Sequence, residues 1–115
     1  METRKLGRTG LEVSALGFGG SPIGQLAVAQ GPVTEVVNLL LDAGVNLIDT
    51  AASYHGSEAA LGAAVGHRRD AFVLVSKCGQ AFDDLEGAAW SAQAITQTVD
   101  RSLARLGTDH LDVML

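Results

Sequence analysis

Val45-Asn46-Leu47-Ile48-Asp49-Thr50-Ala51-Ala52-Ser53-Tyr54 is the stretch on which the fold turns. Val45 to Ile48 form a short run suited to a buried strand, and an ionisable residue, Asp49, follows at once. Upstream, Pro32 stands where a first helical residue belongs. Val33, Val36, Val37, Leu40 and Leu41 then recur at helical spacing, and Gly44 follows as a glycine just past a helix end. A helix feeding directly into an apolar strand is one half of a repeating β/α arrangement.

The arrangement recurs on both sides. Ser14 to Gly20 reads as a buried strand ending in glycines, and Ser21 to Gly31 reads as irregular, punctuated by Pro22, Gly24 and Gly31. Downstream, Ser57 reads as an N-cap, and Glu58 suits the positive end of a helix dipole. Leu61, Ala64 and Val65 supply that helix with a buried face, and Gly66 closes it. Ala71 to Val75 is a fully apolar strand ending on Ser76-Lys77. Cys78 to Trp90 is a loop with acidic residues. Ser91 caps a long helix through Leu106 with the stripe Ile95, Val99, Leu103 and Leu106, and Gly107 ends it. Leu111 to Leu115 is a fourth strand. At the other end, Gly7-Arg8-Thr9-Gly10 reads as a turn pairing Arg4–Leu6 with Leu11–Val13.

The 115 residues therefore read as one α/β domain: a hairpin, then β-α-β-α-β-α-β. Near-continuous apolar strands alternating with amphipathic helices imply a parallel sheet covered by helices. A doubly wound open sheet and a β/α barrel both satisfy that pattern.

Composition narrows the function. Eight basic against thirteen acidic residues give a net charge of −5, with the basic residues scattered, which argues against a nucleic-acid surface. Cys78 is the only cysteine, so no internal disulfide forms, and no spacing of His and Cys makes a metal motif. There is no signal-type apolar run at the N-terminus and no stretch of the ~20 apolar residues a membrane span needs. A cytoplasmic protein is the expectation.

Motifs separate the two architectures. Gly17-Phe18-Gly19 begins like a dinucleotide fingerprint, but its third glycine is replaced by Pro22, and no helix is expected there. No phosphate loop of the G-x-x-x-x-G-K-[ST] kind is present. A barrel instead places its functional residues just past the C-terminal ends of strands. Asp49 and Tyr54 follow the second strand, and Lys77 follows the third. Taken singly, each has an ordinary reading as a turn, packing or solvated residue. Together, at equivalent strand ends, they share a chemistry. A tyrosine, with an ordinary pKa of about 10, is a weak acid at neutral pH, and a nearby ammonium favours its phenolate. A carboxylate beside the lysine keeps the ammonium charged and placed. Such a trio can deliver a proton to a carbonyl oxygen as hydride reaches the carbon.

Here the residues resemble a family. Asp49-Thr50-Ala51-Ala52-Ser53-Tyr54, with Gly56-Ser57-Glu58 and Leu61-Gly62, resembles the aldo-keto reductase signature. Arg4 to Ser14 is similar to that family's bottom-capping hairpin, Val75-Ser76-Lys77 to its lysine strand, and Ser102 to Asp112 to the helix and strand that follow. The resemblance implies the N-terminal portion of a (β/α)8 TIM barrel, with a β-hairpin cap, four parallel strands and three helices. It implies reduction of small carbonyl compounds, or oxidation of alcohols, with NADP(H) or NAD(H). It implies Tyr54 as general acid/base, Lys77 as its tuner and Asp49 as the partner of Lys77. It also implies that Gly19, Gly20, Ser21 and Asp49 lie near the cofactor. The family's fourth catalytic residue is a histidine just beyond the fourth strand. His110 precedes that strand, so it is not expected to stand in. From the chain's end at Leu115 follows the expectation of an incomplete site and cofactor cradle, with open sheet edges that invite self-association.

The remaining residues carry modest expectations. His55 faces solvent or, as the neighbour of Tyr54, touches a substrate; Cys78 packs, and His67-Arg68-Arg69 is a solvated turn. Trp90 anchors its loop to the third helix or edges the pocket. Arg101 and Arg105 are exposed on one helix face. Asp112 makes a structural hydrogen bond in the barrel wall.

Overall fold

Strand β1 (Thr3–Lys5) pairs antiparallel with β2 (Glu12–Ser14) in a computed structural model that describes residues 1–115. Arg4 lies opposite Val13, and the Leu6 amide still closes the hairpin onto the Leu11 carbonyl at 2.9 Å. The paired residues lie one position further from the turn than the sequence suggests.

A second sheet holds β3 (Phe18–Gly19), β4 (Leu47–Asp49), β5 (Val73–Ser76) and β6 (Val113–Met114), all parallel, in the order in which they occur along the chain. This order decides between the two architectures. A doubly wound sheet reverses strand order at a switch point, whereas here every strand sits beside its predecessor. The helices consequently lie side by side: α2 (Gln30–Asp42) packs on α3 (Ser57–Val65), which packs on α4 (Ala92–Leu106). The result is the N-terminal portion of a (β/α)8 barrel wall. No helix is long and apolar enough to cross a membrane.

Ser21–Gln25 forms a short helix, α1, where an irregular segment was expected, so there are four α-helices rather than three. Pro22 does not prevent it, because the first turn of a helix has no amide bonds for proline to break. The same reasoning moves α2: it begins at Gln30, and Pro32 is its third residue rather than its first. Its end follows the sequence. Gly44 takes a φ of +88°, its amide bonds the Leu41 carbonyl, and the Val45 amide bonds that of Leu40, which is a Schellman closure.

The core lies between the sheet and the helices, around Val37, Ile48, Leu61, Val65 and Leu74, each about 1% exposed. Two expected stripes are displaced. On α2, Val33, Val37 and Leu41 are buried while Val36 is exposed. On α4, the buried face is Ala94, Thr98, Ser102 and Leu106, with Ile95, Val99 and Leu103 only half-buried. Small residues win that face because α3 comes very close: a Cβ on Gly62 would lie 2.4 Å from the Arg105 carbonyl oxygen.

Beneath the sheet, the Asn46 side chain ties the hairpin to β4. It accepts from the Ser14 amide at 2.6 Å and donates to the Glu12 carbonyl at 3.0 Å. Arg69, expected in a solvated turn, is largely buried and bonds Asp112 at 2.6 Å and the Phe72 carbonyl at 2.9 Å. Asp112 also accepts from the Leu74 amide at 2.7 Å, as the expected wall hydrogen bond requires. Desolvation pushes the Asp112 carboxyl upward, but the Leu74 amide and the Arg69 guanidinium outweigh it and hold the group below its ordinary range.

Candidate active site

Strand register brings the expected residues to one level. Gly19 pairs with Asp49, Asp49 with Val75, and Val75 with Val113. Asp49 ends β4, Lys77 is the first residue past β5, and both side chains leave the sheet on the face away from the helices, because side chains alternate along a strand. Leu74 and Ser76 take the other face, toward the core and α3.

Tyr54 reaches the same mouth through a tight turn. Its amide bonds the Ala51 carbonyl at 3.0 Å, and its carbonyl accepts from the Ser57 amide at 2.9 Å. The three side chains meet there. Lys77 Nζ donates to Asp49 Oδ1 at 2.5 Å and to the Thr50 carbonyl at 2.9 Å. It also sits 5.0 Å from the centre of the Tyr54 ring. An ammonium over an aromatic face is attracted by the ring. All three residues are partly exposed, so a small molecule can reach them.

Beside the trio, Ser53, Lys77, Cys78, Gln80, Phe82, Trp90 and Leu115 line a cleft of about 260 Å³. Trp90 is exposed, and its amide bonds the Gly79 carbonyl at 2.7 Å. Its ring covers Gly79 so closely that a Cβ there would lie 2.4 Å from it. Trp90 thus fastens its loop back to Gly79, and it also edges the cleft. Arg101, expected to be exposed, is mostly covered: it pairs with Asp84 at 2.5 Å and lies over the Phe82 ring at 4.5 Å. Arg105 is exposed, as expected, and so is His55.

Gly19 and Gly20 have different reasons to be glycine. A Cβ on Gly20 would lie 2.6 Å from Ser57 Oγ, so close packing alone excludes a side chain. A Cβ on Gly19 would meet nothing, and Gly19 is exposed beside Asp49, with Ser21 half-buried at the start of α1. Gly19 is open to solvent at the strand end, next to the half-exposed Asp49 carboxylate, which can accept from the hydroxyl of a ribose. These residues fit one end of a nicotinamide dinucleotide. No group of three or more His, Cys, Asp or Glu residues could hold a metal ion.

A second hollow, at the opposite ends of the strands, is lined by Glu12, Asn46, Arg69, His110 and Asp112 among others. Its strongest charges are spent on each other in the Arg69–Asp112 pair, and it lies away from the trio. His110 belongs to this end and pairs with Asp109 at 2.7 Å, so it does not join the site.

Sequence reasoning missed the layer behind the trio. Ser57 is not the cap of α3. That position is Gly56, with a φ of +75°, and Ser57 is fully buried with its hydroxyl 2.9 Å from that of Thr50. Glu58 lies in the first turn of α3, as expected, but it is no surface charge. It is buried and accepts from Ser76 Oγ at 2.8 Å. A signal was present: each of these polar residues adjoins a site residue or another member of the layer in sequence.

The aldo/keto reductase family profile matches residues 15–115. The chain belongs to the aldo/keto reductase family. Among its relatives, L-galactose dehydrogenase of Arabidopsis thaliana is 37% identical over 121 residues, covering 99% of this chain and 37% of that protein. An uncharacterized oxidoreductase of Bacillus subtilis, YqkF, is 33% identical, covering 98% and 38%. The holo form of aldo-keto reductase AKR11C1 from Bacillus halodurans superposes with a TM-score of 0.85 at 34% identity, covering 99% of this chain and 39% of that one. The chain therefore spans well under half the length of these aldo/keto reductase relatives.

Proposed function

We propose that this aldo/keto reductase segment contributes the proton-donating half of a site for NAD(P)H-dependent reduction of a small aldehyde or ketone, and for the reverse oxidation of the alcohol. The observation that carries this reading is the Lys77 ammonium, bonded to Asp49 at 2.5 Å and lying 5.0 Å from the Tyr54 ring centre. When bound, the nicotinamide supplies the hydride. Tyr54 donates its phenolic proton to the substrate oxygen as negative charge builds there. Lys77 stabilises the phenolate that is left, and Asp49 with the Thr50 carbonyl keeps Lys77 over the ring. In the alcohol direction, the phenolate takes the proton back. Gly19, Gly20, Ser21 and Asp49 are the residues we assign to the nicotinamide end of the cofactor. The cofactor is NADP(H), with NAD(H) equally compatible with the residues present. The cleft beside Trp90 admits the substrate.

The turnover proposed is that of a closed eight-stranded barrel containing these residues. For the 115 residues alone, we expect weak cofactor binding, little turnover, and self-association through β3 and β6, the outer strands of the sheet. The test is loss of NADPH absorbance at 340 nm with a panel of aldehydes, ketones and aldoses. Carbonyl-dependent oxidation by a closed barrel carrying this segment is the expected result. No oxidation with any substrate would leave the alternative, an inactive or interaction module of the same fold.

A further inference from the structure

Glu58 is hard to explain as a contributor to stability. Its side chain is 2% exposed, and a buried carboxylate is costly unless it is fully paired. It is not fully paired. Oε1 accepts from Ser76 Oγ at 2.8 Å, but Oε2 has no hydrogen-bond partner. The Arg105 guanidinium approaches Oε2 only to 3.5 Å and is itself more than one-third exposed.

The contacts of Glu58 and its neighbour Ser57 point instead toward the site. Ser76, held by Glu58, is the last residue of β5, and the next residue is Lys77. Ser57 meets Thr50 Oγ1 at 2.9 Å, and the Thr50 carbonyl is one of the two acceptors of Lys77 Nζ. The first turn of α3 therefore grips the chain beside both ends of the lysine's tether. Lysine has a long flexible side chain. Its Nζ is placed by Asp49 and Thr50, and its backbone is placed by Ser76.

We infer that Glu58 is a positioning residue for Lys77, acting through Ser76, with Ser57 and Thr50 as the second arm of the same clamp. The inference rests on the trio reading proposed above. It predicts that loosening the clamp changes what Tyr54 feels of the lysine, in addition to any change in stability.

The chain contains one tyrosine, so tyrosinate absorbance in the near ultraviolet reports Tyr54 alone. The experiment follows this absorbance against pH in the 115-residue chain, over the range where far-UV circular dichroism remains native. Lys77→Met sets the scale by moving the rise to higher pH. Glu58→Gln and Ser76→Ala are each expected to move it part of that distance in the same direction. Ser76→Thr, which keeps the hydroxyl, is expected to restore it, and Ser76→Ala/Lys77→Met is expected to add nothing to Lys77→Met. The inference is overturned if Glu58→Gln and Ser76→Ala change only the melting temperature, or if their shifts persist without the lysine. Should Glu58→Gln fail to fold, Ser76→Ala and Ser76→Thr decide alone. A Lys77→Met variant with no displacement would overturn the trio reading and this inference with it. A displacement there without one in Ser76→Ala overturns only the inference.

Discussion

At the scale of single residues, the site is a set of short-range obligations. Lys77 must reach Asp49, the Thr50 carbonyl and the Tyr54 ring at once, and Gly20 must stay small because Ser57 fills the space beside it. Gly20→Ala is therefore expected to destabilise the chain by about 1–3 kcal/mol, as overpacking generally does, measured by urea denaturation. Retention of full stability would mean that Ser57 yields easily and that the clamp behind Lys77 is loose. Asp49 and Lys77 were legible in the sequence because they close apolar runs whose strand ends can be counted, and Tyr54 because it lies five residues past Asp49 in the same loop. Glu58 and Ser76 were not, because their importance lies in one hydrogen bond between residues 18 apart, across a helix and a strand. Linear patterns report burial periodicity and say little about which buried polar atoms meet.

At the scale of elements, α4 and the base of β6 offer separate tests. Ser91 caps α4 by accepting from the Ala94 amide at 3.1 Å. Ser91→Ala should cost about 1 kcal/mol in chemical denaturation, whereas a change near zero would show that the cap is replaced by water. The Arg69–Asp112 pair, with side chains 11% and 19% exposed, is covered well enough to matter. Removing one partner with Arg69→Ala should cost at least about 2 kcal/mol, short of the ~3–5 expected for a fully buried pair. Its pH dependence has a definite sign. The folded Asp112 carboxyl lies below its ordinary value, so it contributes stability above about pH 4 and loses that contribution as pH falls further. Asp112→Asn should flatten the loss of stability below about pH 4, measured as urea midpoints against pH; an unchanged slope would rule the pair out as its source. The helices themselves were largely legible, from Gly44 and Gly107 at their ends and from Ser91 at a start. Their buried faces were less so. Thr98 and Ser102 occupy the deepest positions on α4 because Gly62 lets the helices approach, a constraint no hydrophobic stripe displays.

At the scale of the whole molecule, the four parallel strands of these 115 residues lie in sequential order, with β3 and β6 as the outer edges. Apolar side chains remain exposed near both, including Leu16 and Leu115 at 57% and 62%. Such edges pair readily. Size-exclusion chromatography with light scattering on the 115 residues should show mass rising with concentration. A monodisperse monomer that melts cooperatively would contradict this. The choice between a barrel and an open sheet could not be made from strand and helix alternation alone, since both share it; strand order settles it. The family match then connects the wall to proteins more than twice its length. The central proposal is chemical: that Tyr54 gives up the proton that carbonyl reduction needs. The direct measurement is kcat/KM for carbonyl-dependent NADPH oxidation in a closed barrel carrying this segment, with and without Tyr54→Phe, alongside the NADPH dissociation constant. The account predicts a loss of about 100-fold or more in kcat/KM, as removal of a general acid causes, with cofactor affinity unchanged. A Tyr54→Phe enzyme that keeps its kcat/KM would contradict it.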